Sequence, residues 1–200
     1  MPATKARHRR RTERGGGVAG NERLTAMTGA VLLVLFAAEG VTILRLHQLL
    51  TFHFFVGMLL TGPVALKAAS TVYRFARYYT GAAPYVRKGP PAPFMRMLGP
   101  LVLSTSLAVL GTGVALAVYG PDNQWLFLHK ASFVLWFGVM TIHVLVYAPR
   151  LPRLLLGGQA AGRGVAGLGG RGTRWLLLAA ALGCGLVVAA ATLHLAARWG

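Results

Sequence analysis

The stretch LFLHKASFVLWFGVMTIHVLVYA, residues 126–148, decides how the chain is read. A run of roughly 20 apolar residues is what an α-helix needs to cross about 30 Å of hydrocarbon at 1.5 Å per residue. This run meets that length without an acidic residue, so it reads as a membrane span that carries two histidines, His129 and His143. Four further windows read the same way, near residues 25–45, 50–73, 98–119 and 174–197. Of the 200 residues 55% are hydrophobic and 12% charged. The apolar residues come in blocks rather than in the periodic stripe of a soluble helix. The expected fold class is therefore all-α: a polytopic transmembrane helix bundle of five spans, a four-helix core plus a fifth helix.

A net charge of +17 suggests a nucleic-acid partner in a soluble protein, but here the distribution of the charge matters more than the sum. Of 21 Lys and Arg, seven lie in residues 1–23, five between Arg74 and Arg96, and five between Arg150 and Arg174. These segments alternate with the spans and fall on one side; the other side keeps Arg45, Lys130 and Arg198. The positive-inside bias then puts the N-terminus in the cytoplasm and the C-terminus outside, as in a bacterial inner membrane. Anionic lipid accounts for the basic flanks, so the lipid bilayer and not nucleic acid is the expected partner surface. The first apolar run shows no convincing small-residue cleavage site and is read as an uncleaved span rather than a leader.

The chain divides into a basic tail, 1–23, expected to be disordered and cytoplasmic; a four-helix membrane bundle, 24–149; a Gly-rich cytoplasmic linker, 150–173; and the fifth helix, 174–200. The link around Arg45 to Leu49 is short enough to make spans one and two an antiparallel hairpin. Gly62 and Pro63 are expected to loosen or kink span two. The small residues at 111–113, GTG, are expected to let another helix approach closely. Gly162, Gly164 and Gly167 have the G-x-G-x-x-G spacing, but no strand precedes them and a span follows, so a dinucleotide site is not inferred. Cys184 is the single cysteine and implies no disulfide and no thiolate metal site.

Five of the six histidines lie in or beside spans: His47, His53, His129, His143 and His194. Ionisable side chains at membrane depth are costly and raise a functional hypothesis. Imidazole is a common axial ligand of haem iron, and a bis-imidazole site needs two of them facing each other at one depth. His129 and His143 are 14 residues apart, about 21 Å along a helix and about 40° around it, so they project from one face at opposite leaflets. His53 and His129 each lie about three residues inside the outer end of their spans. They are the proposed ligands of an outer haem b, and so the metal ligands, with His47 and His194 as replacement candidates. Phe54, Phe55, Phe133 and Trp136 are aromatic neighbours in sequence; Gly57 leaves room either for a macrocycle edge or for a neighbouring helix. At the inner level His143 lacks a histidine partner, because Lys67 stands 14 residues after His53. Lys67 is read as a partner for a haem propionate or another anion, and Met27 as a soft ligand; one haem is expected and a second is left open. Each histidine also has a plainer reading as an interfacial residue satisfied by water or a carbonyl. Glu39, the one acid inside a span, either bonds within the bundle or takes a proton from a quinol.

These residues resemble bacterial membrane b-type cytochromes, the four-helix haem subunits of respiratory oxidoreductases such as formate dehydrogenases and hydrogenases. The likeness rests on H-x13-H from His129 to His143 and on His53 in a preceding helix, over residues 25–148. ASTVYRFARYYTG at 69–81 and LHKASFVLWFGVMTIHVL at 128–145 look like an actinobacterial group of such proteins, some of them linked to a molybdopterin-dependent oxidoreductase. The resemblance implies that His129 pairs with His53 at the outer level. It also implies an inner partner for His143, where this sequence departs from the pattern.

Two functions of different class follow. The first is an electron-transfer subunit carrying haem b between a quinone pool and an extracytoplasmic oxidoreductase partner: a carrier, with no catalytic residue of its own, rather than a complete enzyme. The second is a cofactor-free helical scaffold or an ion- or proton-handling protein. A soluble-type hydrolase or transferase is disfavoured by the want of a Ser/His/Asp set, a P-loop or an acidic metal cluster. Four acids in the chain leave little for Mg²⁺ or Ca²⁺.

Overall fold

The computed structural model describes residues 18–89, 93–120, 122–150 and 168–199. The tail before Val18, most of the linker and the G-x-G-x-x-G glycines lie outside the described residues. The protein is an all-α polytopic bundle, with no strand among the described residues. In chain order the helices are α1 (Val18–Leu44), α2 (Leu46–Tyr79), the short α3 (Ala83–Lys88), α4 (Pro93–Tyr119), α5 (Asn123–Tyr147) and α6 (Leu168–Thr192). Single 3-10 segments follow α5 (Ala148–Arg150) and α6 (Leu193–Trp199). Five of these helices are long and apolar enough to cross a bilayer, with mean hydropathy from 1.5 to 2.4. Their outward faces are apolar too: Val34, Phe52, Val134, Leu145, Leu176 and Val187 are all more than half exposed. A continuous apolar exterior of this kind is what lipid covers.

Hydroxyl side chains inside the spans stay satisfied by bonding back along their own helices. Thr28 donates to the Leu24 carbonyl at 2.9 Å, Thr105 to Leu101 at 2.8 Å and Thr192 to Val188 at 2.7 Å. The hairpin of α1 and α2 turns at Arg45, where Gln48 and Leu49 N–H groups both donate to the Arg45 carbonyl at 3.0 Å. α4 and α5 turn through Gly120, whose φ of 91° suits a residue without Cβ, and Asp122, whose carboxylate caps α5 by accepting from Gln124 N–H. The same end of the bundle holds both turns and the segment Leu193–Trp199; it is called the hairpin end below.

The helices begin earlier than the hydropathy windows. α1 starts at Val18 instead of residue 24, because its polar first turns are tied to the far end of α2: Asn21 donates to the Ser70 carbonyl at 3.1 Å and Glu22 approaches Arg74 at 4.0 Å. α6 starts at Leu168, within the expected linker, and α4 at Pro93, where a fixed φ favours the first helical position.

Span two does not break at Gly62 and Pro63; the one interior residue of α2 with non-helical angles is Leu49 (φ −113°, ψ 19°). Pro63 has no N–H for the Leu59 carbonyl, and that freed carbonyl is directed at Gly185 of α6, where a Cβ would strike it. Reciprocally, a Cβ on Gly62 would strike the Ala181 carbonyl and stand 2.9 Å from Gly185 N. The crossing helix comes directly against the carbonyl that the proline freed. The close approach expected at 111–113 is therefore found at Gly62 and Gly185: Gly111 meets nothing within 4 Å, and Gly113 meets a side chain.

α2 is the central helix. α1 and α6 both pack along it, so the fifth helix belongs to the bundle as fully as the first, while α4 pairs with α5. The core has one cluster around Leu32, Leu60 and Val64 and another around Met58, Ala117 and Ala189. Trp136 Nε1–H donates to Ser106 Oγ at 3.0 Å and ties α5 to α4. Trp136→Phe is expected to lower stability by about 0.6–1.7 kcal/mol, read from the unfolding midpoint in detergent; an unchanged midpoint would remove this bond from the account.

Candidate cofactor site

α5 packs closely on α4 but reaches α1 and α2 through side chains across an apolar cavity of about 540 Å³. This volume is within the roughly 300–1,000 Å³ of small-molecule and cofactor pockets. The cavity-facing positions of α5 recur with helical spacing: His129, Phe133, Trp136, Met140, Val144. Phe36 of α1 and Trp136 of α5 close one wall with ring centres 4.6 Å apart.

His53 of α2 and His129 of α5 face each other in this cavity, with ring centres 6.4 Å apart and planes at 70°. Each ring is held by Nδ1. Glu39 and Thr42, three residues apart, share one face of α1. His53 Nδ1 lies 3.0 Å from Thr42 Oγ1 and 3.1 Å from Glu39 Oε1. The Thr42 hydroxyl donates to the Glu39 carbonyl at 2.6 Å, so its lone pairs accept from the imidazole. On α4, Thr112 donates to the Ala108 carbonyl at 2.8 Å and stands 3.2 Å from His129 Nδ1, again as acceptor. Thr112 also meets Ser132 Oγ at 2.9 Å, and Ser132 donates to the His129 carbonyl. With the proton of each ring held at Nδ1, the Nε2 lone pairs are the ones left for a ligand.

Two glycines make this arrangement possible. A Cβ at Gly113 would stand 3.0 Å from His129 Cε1, and one at Gly57 would stand 3.2 Å from Glu39 Oε1. Gly57 thus makes room for the carboxylate that holds His53.

The donor set suits a haem better than a bare ion. The rings stand 6.4 Å apart at their centres, a separation that leaves room for one metal ion between them. Among the described residues no group of three or more His, Cys, Asp or Glu gathers as a metal site. Two axial imidazoles are enough when a porphyrin supplies the remaining donors.

The other candidates lie elsewhere. His47 is exposed in the first turn of α2, His194 is exposed in the segment after α6, and neither lines the cavity. His143 is outside the cavity lining too; its ring lies over Tyr147 at 4.6 Å, and its Nδ1 is buried without a hydrogen-bond partner among the described residues. Lys67 lies outside the cavity lining as well. Its ammonium donates to the Thr25 carbonyl at 2.6 Å, beside Gly29. Met27 is partly buried on α1.

Thr42, Thr112 and Ser132 were not singled out by their sequence. The one available signal was Thr42 falling three residues after the single intraspan acid. Compared with protein-family models, curated proteins and solved structures, the chain matches none.

Proposed function

We propose that the protein is a haem b-binding electron-transfer protein of the bacterial inner membrane, with its N-terminus in the cytoplasm. On this reading it works between the quinone pool and an extracytoplasmic oxidoreductase partner, of molybdopterin-dependent type. A place among the membrane b-type cytochromes is part of the same proposal. The observation that carries it is the pair of imidazoles, His53 and His129, held 6.4 Å apart by their Nδ1 atoms across an apolar cavity.

When bound, haem supplies a reversible one-electron couple. The chain's own residues do the rest. His53 and His129 would ligate through Nε2. Glu39 and Thr42 hold the proton at His53 Nδ1, and Thr112 holds the one at His129 Nδ1, which fixes both tautomers and ring orientations. Phe36, Phe133 and Trp136 exclude water from one wall and keep the local dielectric low.

Full-length protein produced with ample haem and purified in detergent is expected to give about one haem b per chain in a pyridine haemochrome assay, with the spectrum of a bis-imidazole site. Well-folded protein without haem would overturn the proposal. It would favour the second reading, a proton-handling protein, which the Glu39–His53–Thr42 contacts inside a span support.

A further inference from the structure

The cavity is lined by one buried donor that the described residues leave unanswered and by one exposed cation. Trp199, in the segment after α6, lines it at the hairpin end; its Nε1 is buried and has no hydrogen-bond partner among the described residues. Lys130 of α5 is exposed, lines the same cavity and makes no ion pair among the described residues. A buried N–H without a partner is costly and calls for an acceptor, and an exposed ammonium on the same cavity attracts an anionic one.

Geometry sets where that acceptor belongs. Helical Cβ atoms tilt toward the helix N-terminus, so the Lys130 side chain leads from the level of His129 toward the hairpin end, and its length lets the ammonium reach further the same way. Lys130 is the one lysine or arginine among the described residues that line the cavity, while the His53 side holds the acid Glu39, at 3.1 Å from the ring, and brings no cation to an anionic ligand.

The geometry points to Lys130 and Trp199 as the anion-binding end of the cavity: they receive the carboxylate groups of an iron porphyrin held by His53 and His129, and orient its acidic edge to the hairpin end. This rests on the haem reading above and adds the polarity of the bound group and the residues that set it.

The test compares haem with its dimethyl ester, in which both carboxylates are masked while the ring and iron are kept. Each is titrated into full-length apo-protein in lipid nanodiscs, and binding is read from the Soret band. Wild type is expected to bind haem at least about tenfold more tightly than the ester, as for a charge-assisted hydrogen bond lost. Lys130→Met/Trp199→Phe is expected to bind the ester as wild type does and to lose the preference for haem. The variant also controls for different partitioning of the two porphyrins. Equal wild-type affinities, or a preference that survives in the variant, would overturn this assignment and leave the His53–His129 site standing. Should neither porphyrin bind folded wild-type protein, the haem reading itself falls and this one with it. If the double variant does not fold, Lys130→Met alone is expected to lose a measurable part of the preference, and full retention would count against the assignment.

Discussion

In His53→Ala and in His129→Ala, bound haem b is expected to fall at least about tenfold, in line with the loss of an axial ligand whose mere orienting partners are typically worth 10–100-fold in metal affinity. The two rings are the imidazoles that line the cavity. Neither has a substitute within it, since His47 and His194 are exposed outside and His143 is not among the cavity residues. His47→Ala, His143→Ala and His194→Ala are therefore expected to keep the wild-type haem content and spectrum. Haem per chain and the reduced-minus-oxidised spectrum of each purified variant decide the matter. Full haem content in both His53→Ala and His129→Ala would end the ligand assignment. The same loss in His143→Ala would mean that an inner site exists.

Gly185→Val is expected to be strongly destabilising, by about 3 kcal/mol. Its side chain would meet the Leu59 carbonyl and stand within 3.4 Å of Gly62 N. Both are backbone atoms of α2, which cannot turn aside as a flexible side chain can. Gly183→Val, on the same helix, is the control, because nothing stands within 4 Å of a Cβ there. Thermal unfolding in detergent should separate the two variants clearly; equal midpoints would mean that α2 and α6 do not cross at these glycines.

The histidines show how far the sequence reaches. Their depth was legible, because rise per residue turns position along a span into position along the helix axis, and His53 and His129 stand side by side in the bundle. Their direction was not. The same reasoning kept His47 and His194 as alternatives, and only the packing of α1, α2 and α5 around one cavity separates exposed imidazoles from facing ones. Thr42 and Thr112 were hidden for a related reason: a threonine in an apolar span is ordinarily satisfied by its own helix, as both are through the Glu39 and Ala108 carbonyls, and nothing local marks the second contact to a histidine.

By itself the sequence determined that this chain is all-helical, that five segments are long and apolar enough to span a bilayer, and roughly where each one lies. Those properties follow from the free energy of moving each segment between water and lipid, which is a sum over local residues. Only the tertiary structure decided that α6 crosses α2 at Gly62 and Gly185, that Gly113 houses a ring, and that Glu39 meets His53. Lipid tails are as apolar as leucine, so burial does not select which helix faces meet; close packing of small residues and a few hydrogen bonds do. With 26 glycines in the chain, many pairings satisfy that rule on paper, and the folded bundle selects among them.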